Sequence, residues 1–237
     1  MLAMLKPRMA DHEILIIDGD DTLWENNVHF EQAIEDFIDF LDHSALSREQ
    51  VRASLDEIER LNSRVHGYGS AAFARNLRQT YERLAERELR PDDLEHVMQL
   101  GRRILNVELE LLPGVAETLA YLRPRHRLFL FTKGEMEEQR LKVQRSGLAD
   151  QFEQVVVTKE KDVDGYRDLI HTHAVDAGQA WMIGNSPRSD IIPALEAGLR
   201  AVYIPHPHTW RLEQADIPVQ DRRVLTLQSF RQLRDHF

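Results

Sequence analysis

The sequence predicts an α/β fold in which a parallel sheet is covered by helices on both faces and a module of helices is inserted after the first strand. Short, unbroken apolar runs alternate with helical patterns along most of the chain, and this alternation is typical of parallel strands buried on both faces. One long segment, residues 25–108, breaks the alternation because it carries helical patterns and no convincing strand. With 237 residues, the chain has room for one large domain that carries such an insertion.

Six apolar runs are the predicted strands, and the first of them, Ile14–Ile17, ends at the acidic segment Asp18–Asp21. The other five runs are Arg127–Phe131, Gln154–Val157, Ala180–Ile183, Arg200–Ile204 and the weaker Arg223–Leu225. The helical patterns that separate them are Val115–Leu122, Glu137–Arg145, Val163–His173 and Ile191–Ala197. Strands and helices that alternate in this order indicate a doubly wound sheet.

The inserted segment is predicted to contain about four helices, because apolar residues recur at helical spacing along it. Ser47 and Gln50 match the capping box that opens a helix. The glycines of Gly67–Ser70 mark a turn between two helices. We interpret residues 25–108 as a cap module over a catalytic core made of residues 1–24 and 109–237.

Composition and charge argue against several classes of function. A net charge of −10 disfavours a nucleic-acid-binding surface, which needs a basic face. No apolar run approaches the length of about 18 residues that spans a bilayer, so no membrane partner is expected. The absence of cysteine removes thiol nucleophiles and zinc–thiolate sites and fits a reducing compartment. We therefore expect a cytoplasmic protein, and the sequence leaves its oligomeric state open.

Three acidic residues, Asp18, Asp20 and Asp21, directly follow the first apolar strand. Ligands of open α/β sheets bind at the carboxyl ends of the strands. Phosphoryl transfer through a carboxylate needs a nucleophile, a second carboxyl group that moves protons, and a cation that offsets the charge. Asp18 and Asp20 are suited to the first two roles. An acidic loop that only caps a helix is the alternative, and the apolar strand before it argues against that interpretation.

Four short motifs resemble those of the haloacid dehalogenase superfamily, which are aspartate-nucleophile hydrolases with a Rossmann-like core. The motifs are an apolar strand followed by Asp-x-Asp-x-Thr, a strand that ends in threonine or serine, a lysine near a strand end, and a Gly-Asp-Ser-like turn followed by an aspartate. The matching residues, in this order, are Asp18, Asp20 and Thr22, then Thr132, then Lys161, and finally Gly184, Asn185, Ser186 and Asp190. The resemblance covers nearly the whole chain.

The resemblance implies a phosphatase mechanism. Asp18 would attack phosphorus and form an aspartyl-phosphate, and Asp20 would protonate the leaving oxygen and then activate water. Lys161 would neutralise the charge that develops in the transition state. The implied catalytic residues are Asp18, Asp20, Thr132 and Lys161, and the implied substrate-binding residues are Thr132, Lys133, Gly134 and Lys161.

The same resemblance implies Mg²⁺ as the cofactor. Its oxygen ligands would come from Asp18, the backbone carbonyl of Asp20, Asn185 and Asp190. Asn185 departs from the family pattern, which has an aspartate here, and the lost charge should weaken Mg²⁺ binding without abolishing it. The expected substrate is a small phosphorylated metabolite, such as a nucleotide or a phosphoglycolate-like compound, because a closing cap excludes large molecules.

Three alternatives stay open. Lys159 competes with Lys161 as the motif lysine. Asn185 allows a binding or regulatory protein that has the fold but little turnover. A 2-haloacid dehalogenase is the third alternative, and Asp20 argues against it, because members that displace halide lack this second aspartate. Outside the motifs, His206 and His208 could share a metal ion, but the prolines beside them favour a rigid loop.

Overall fold

Two compact units make up the protein, as seen in a computed structural model that describes residues 12–218 and 220–237. The α/β unit contains the described residues up to Glu25 together with Leu109–Lys133 and Gln139–Phe237. The helical unit contains Asn26–Glu108 and Gly134–Glu138. The helical unit therefore combines the long insertion that interrupts the strand pattern with the short segment Gly134–Glu138.

Within the described residues, the sheet of the α/β unit has six strands, all parallel to their neighbours. The strands are β1 (Ile14–Ile17), β2 (Arg127–Lys133), β3 (Gln154–Thr158), β4 (Ala180–Gly184), β5 (Arg200–Tyr203) and β6 (Val224–Thr226). Their order across the sheet is β3-β2-β1-β4-β5-β6, so the direction of winding reverses at β1. The predicted fold class is confirmed.

The helical unit is built from four helices whose apolar faces form one core. The helices are α1 (Asn27–Leu41), α2 (Arg48–His66), α3 (Ser70–Leu84) and α4 (Pro91–Arg102). Phe37, Leu55, Leu77 and Val97 each come from a different helix and pack in this core. None of the helices in the described ranges combines the length and the apolar character that crossing a bilayer requires.

The short segment Gly134–Glu138 groups with the helical unit. The boundaries expected from the sequence place it in the core, which was predicted to include residues 109–237. The physical reason is the Glu138 carboxylate, which accepts hydrogen bonds from the backbone N–H of Ser70 at 2.9 Å and from its hydroxyl at 2.8 Å. Since Ser70 begins α3, the carboxylate also lies at the positive end of a helix dipole.

Side chains of the sheet alternate between two buried faces, as the period of a strand requires. On β1, Leu15 and Ile17 pack in one apolar cluster, and Ile14 and Ile16 pack in another. The helices that cover the sheet are α5 (Val115–Leu122) and α6 (Met136–Ser146) on the first face, and α7 (Val163–Thr172) and α8 (Ile192–Glu196) on the second. Burial on both faces explains why the central strands β1 and β4 are unbroken apolar runs in the sequence.

Candidate active site

Four strands bring the motif residues together at one edge of the sheet. Asp18 follows β1, Thr132 is the penultimate residue of β2, Lys161 comes three residues after β3, and Asn185 follows β4. Because the winding reverses at β1, this edge forms the crevice in which α/β sheets bind ligands. The structure thus collects residues that are up to 167 positions apart in the sequence numbering (Asp18 to Asn185).

The Lys161 ammonium lies between two buried carboxylates. Its Nζ donates to Asp18 Oδ1 and, at 2.8 Å, to Asp190 Oδ1. All three side chains are at least nine-tenths buried. Lys159 is exposed, so Lys161 is the lysine of the pair that reaches the proposed nucleophile.

The charges at this site are not balanced by the protein alone. Burial, together with the like charge of Asp190, raises the pKa of Asp18 to about 7, although Lys161 opposes the rise. Burial alone would lower the pKa of Lys161, but the two carboxylates outweigh it and raise that pKa. One ammonium therefore faces two buried carboxylates, and a cation at this position would supply the missing positive charge.

Asp190 is presented by a π-helical turn, Pro187–Ile191, a form that is frequent at functional sites. Its Oδ2 accepts a hydrogen bond from the backbone N–H of Ser186 at 2.9 Å. The turn also requires Gly184, since a Cβ there would lie 2.2 Å from Asp190 Oδ2. The glycine of the fourth motif is thus explained by the close approach of Asp190.

The side-chain oxygen of Asn185 and a carboxylate oxygen of Asp18 share one neighbour, the Thr22 hydroxyl. The Thr22 hydroxyl lies 3.1 Å from Asp18 Oδ2 and 3.3 Å from Asn185 Oδ1, and it can donate to either oxygen. Carboxylate and amide oxygens are the ligands that Mg²⁺ prefers. The residues present, including Asp190, therefore fit a magnesium site in both donor type and charge.

Asp20 lies in a cradle of three donors. Trp24 Nε1 donates to Oδ1 at 2.7 Å, Gln139 Nε2 donates to Oδ2 at 3.0 Å, and Lys142 Nζ lies 2.9 Å from each oxygen. Burial would raise the pKa of Asp20, but Lys142 and the other donors outweigh burial and lower it. Gln139 also accepts a hydrogen bond from the Thr132 hydroxyl at 3.3 Å, so it links the first motif to the second.

Sequence analysis did not single out Trp24, Gln139 or Lys142. A signal for the last two was present, because α6 begins shortly after Thr132 at the end of β2. Gln139 and Lys142 are three residues apart and therefore share a face of this helix. Polar residues in the first turns of a helix that starts at the carboxyl edge of the sheet are candidates for the site.

Lys133, expected to bind substrate, takes part in an internal ion pair. Its Nζ lies 2.5 Å from Glu213 Oε1 and 2.8 Å from Ser189 Oγ, and the Ser186 hydroxyl donates to the second oxygen of Glu213. The pair joins β2 to the turn that carries Asp190. Gly134, the next residue, has φ 146°, which glycine adopts without steric cost; a role for either residue in substrate binding stays a prediction.

Lys133→Met is expected to lower the free energy of unfolding by about 3 kcal/mol, because it leaves the Glu213 carboxylate buried without its cation. The two side chains are only 15% and 11% exposed. Urea unfolding measures the change. The matched control is Arg127→Met, which breaks an exposed pair with Glu153 and should cost less than about 1 kcal/mol. Equal losses in the two variants would contradict a buried structural pair.

The residues after β5 bring a histidine to two acids. His206 Nε2 lies 3.3 Å from Glu25 Oε2, and its Nδ1 lies 3.8 Å from Asp21 Oδ1. One ligand atom from each residue lies within 4.8 Å of the others, so the three could hold a cation. Sequence analysis raised a metal shared by His206 and His208 but favoured a rigid loop; it could not name the acids of this cluster, because Asp21 and Glu25 are distant in the chain.

Comparison with known proteins identifies the family. The profile of the haloacid dehalogenase-like hydrolases matches residues 12–198. A haloacid dehalogenase-like family hydrolase from Xanthomonas campestris is 26% identical in sequence, with 95% of this chain and 94% of that chain covered and a TM-score of 0.82. A 2-haloacid dehalogenase from Pseudomonas syringae shares the fold at 22% identity, with 94% and 96% covered and a TM-score of 0.59.

A curated relative has a named activity. The pyrimidine 5'-nucleotidase YjjG of Escherichia coli is 26% identical over 115 residues, which are 45% of this chain and 51% of the nucleotidase. The match therefore spans about half the length of that relative.

Proposed function

Because the chain belongs to the haloacid dehalogenase-like hydrolase family, we propose that it is a magnesium-dependent phosphatase that hydrolyses a small phosphomonoester through an aspartyl-phosphate on Asp18. The observation that carries the proposal is the pair of carboxylates at the end of β1. Asp18 contacts Lys161, and Asp20 lies in its own cradle of donors. Carboxylates whose surroundings drive their pKa values apart are typical of acid–base partners.

The pKa values of the two carboxylates suit these roles only after metal and substrate charges are added. In the protein alone, the pKa of Asp18 is about 7 and that of Asp20 is below its usual range. Asp18 beside a cation is expected to ionise, which gives the nucleophile, and Asp20 beside a negatively charged phosphoryl group is expected to take up a proton, which gives the acid. We infer that the site becomes competent only when both are bound.

In the first step, an Asp18 oxygen bonds to phosphorus while the ester P–O bond breaks, and Asp20 gives its proton to the leaving oxygen. In the second step, ionised Asp20 takes a proton from water, and the water oxygen attacks phosphorus. That attack breaks the bond to Asp18 and yields inorganic phosphate. Thr132 and Lys161 hold phosphoryl oxygens and offset their charge.

The metal would be held by Asp18, the backbone carbonyl of Asp20, Asn185 and Asp190, which are the ligands the family resemblance implies. Mg²⁺, when bound, offsets the negative charge of the phosphoryl group. With Asn185 as the fourth ligand, the protein contributes one negative charge fewer than a site with an aspartate there. We therefore expect weaker Mg²⁺ affinity with turnover retained.

The helical unit is proposed to act as the cap, because the chain enters it shortly after the loop that carries Asp20 and again directly after Lys133. A cap of this kind encloses small substrates. Nucleoside monophosphates are the first compounds to test, since the relative YjjG is a pyrimidine 5'-nucleotidase. The cytoplasmic location and the absence of nucleic-acid binding stay predictions.

The proposal is tested with a panel of nucleoside monophosphates, phosphoglycolate and sugar phosphates, with 2-chloropropionate as the dehalogenase arm. Phosphate and halide release are measured with Mg²⁺ and with a chelator. We expect phosphate release that needs Mg²⁺ and no halide release. Halide release alone would assign the chain to the dehalogenases, and ligand binding without turnover of any compound would favour a binding or regulatory protein.

Lys142→Met is expected to raise the pKa of Asp20, because it removes the cation that, together with the other donors, outweighs burial. The limb of the pH–rate profile that reports Asp20 should move to higher pH, whether the acid step or the base step limits the rate. The matched control is Arg140→Met, which removes a charge from an exposed residue of the same helix. An unshifted limb in Lys142→Met would show that Lys142 does not set the ionisation of Asp20.

A further inference from the structure

The residues that follow β5 contact the segment after β4, residues 185–191, which carries two of the proposed metal ligands, Asn185 and Asp190. We propose that Thr209, in the segment His206–Glu213, is a positioning residue that fixes the Asn185 side-chain amide so that its oxygen faces the Thr22 hydroxyl, which also contacts Asp18. The inference rests on the magnesium site of the proposed function. It assigns a task to a residue that belongs to none of the four motifs.

The hydrogen-bond network fixes the direction of the Asn185 amide. Thr209 Oγ1 donates its one hydrogen to the backbone oxygen of His206 at 3.0 Å. The same oxygen atom therefore acts as acceptor for Asn185 Nδ2, which lies 3.0 Å away. On the opposite side, the Thr22 hydroxyl lies 3.3 Å from Asn185 Oδ1 and can donate to it. The acceptor on the Thr209 side therefore favours the orientation in which Nδ2 faces Thr209 and Oδ1 faces the Thr22 hydroxyl.

Thr209 can impose that orientation because side-chain contacts near both ends of its segment, at His206 and Glu213, limit its movement. His206 Nε2 lies 3.3 Å from Glu25 Oε2, and Glu213 pairs with Lys133 at 2.5 Å and accepts from the Ser186 hydroxyl. Thr209 is only 9% exposed, so solvent is a poor substitute for its hydroxyl. A buried amide hydrogen that loses its acceptor carries the full cost of desolvation.

The need for Thr209 follows from the departure at Asn185. An aspartate has two equivalent oxygens and presents a ligand atom in either orientation. An asparagine has one oxygen and one NH₂ group, and the wrong orientation would present hydrogens to a cation. Thr209 thus removes the ambiguity that the amide introduces.

The test measures Mg²⁺ binding to the full chain by calorimetry, without substrate. Asp190→Asn identifies the binding that belongs to the site, as distinct from any binding by His206 and its acidic neighbours. Thr209→Val removes the acceptor, and Thr209→Ala is a second variant that does the same with a smaller side chain. Thr118→Val is the matched control, because Thr118 is fully buried in α5 and its hydroxyl has no hydrogen-bond partner among the residues that the structure describes.

Thr209→Val and Thr209→Ala are expected to weaken Mg²⁺ binding about 10-fold, with Thr209→Ser within about twofold of wild type. Thr118→Val should leave binding unchanged. In turnover, kcat of Thr209→Val should recover at high Mg²⁺ with the substrate KM little altered. Wild-type affinity in the Thr209→Val and Thr209→Ala variants, or an equal loss in Thr118→Val, would overturn the inference. No Asp190-dependent binding in the wild type would overturn the magnesium site itself.

Discussion

Asp18→Asn is expected to lower kcat by about four orders of magnitude or more, because an amide cannot form the covalent bond to phosphorus. Asparagine has nearly the same shape as aspartate, so the packing against Thr22 and Lys161 should change little. Phosphate release from the best substrate of the panel, at saturating Mg²⁺, measures the effect. Asp150→Asn, at an exposed position, is the control and should behave as wild type. Activity of Asp18→Asn within about tenfold of wild type would rule out Asp18 as the nucleophile.

The stability of the same variant separates lost chemistry from lost structure. The pKa of folded Asp18 is raised from 3.8 to about 7, so the folded protein holds this proton more tightly than the unfolded chain does. The stabilisation is therefore present below the unfolded pKa and is lost as the pH rises through the folded value. Metal-free Asp18→Asn should unfold at a higher temperature than wild type near about pH 8, and the difference should shrink towards about pH 4. Lower stability than wild type at the higher pH would contradict the raised pKa.

Lys161→Met is expected to lower both activity and stability. Its ammonium offsets charge on the phosphoryl group, and removing one such group costs about 10²–10³-fold in kcat. In the folded protein, the Lys161 ammonium also lies between the Asp18 and Asp190 carboxylates and pairs with both. Removing one partner from a buried ion pair costs about 3–5 kcal/mol, because the remaining charge is left uncompensated. Phosphate release and urea unfolding measure the two effects.

Lys159→Met is the matched control, since Lys159 lies two residues away and is exposed. It removes the same charge and the same number of side-chain atoms from the same loop region. We expect wild-type kcat and a change in stability of less than about 0.5 kcal/mol. Loss of turnover in Lys159→Met with full activity in Lys161→Met would reverse the assignment of the motif lysine.

The fold could be predicted from local patterns because the central strands are buried on both faces. Ile14–Ile17 and Ala180–Gly184 are unbroken apolar runs that end at acidic or polar turns, and the capping box at Ser47 marked the start of α2. These signals depend on residues close together in the chain. The family resemblance added that each motif lies at the carboxyl end of its strand. Asp18 and Asn185 were therefore expected at the same edge of the sheet.

The pairing of charged side chains could not be predicted in the same way. Lys133 follows the second motif in sequence, yet its partner Glu213 is 80 residues away. Lys142 reaches Asp20 across 122 residues, and His206 meets Glu25 only because β5 lies two strands from β1. No local periodicity encodes such pairs, since they depend on the packing of separate loops. The same limit applies to Thr209, whose importance becomes visible only beside Asn185.

The central claim is that Asp18 carries a phosphoryl group during turnover. The most direct measurement is an acid quench of a single turnover with ³²P-labelled substrate and Mg²⁺, followed by peptide mapping of the labelled protein. We predict a transient, hydroxylamine-sensitive acyl phosphate on Asp18 that forms and decays at rates compatible with kcat and is absent in Asp18→Asn. Phosphate release at the full rate with no label on the protein at any time would contradict the account and assign the attack on phosphorus to water.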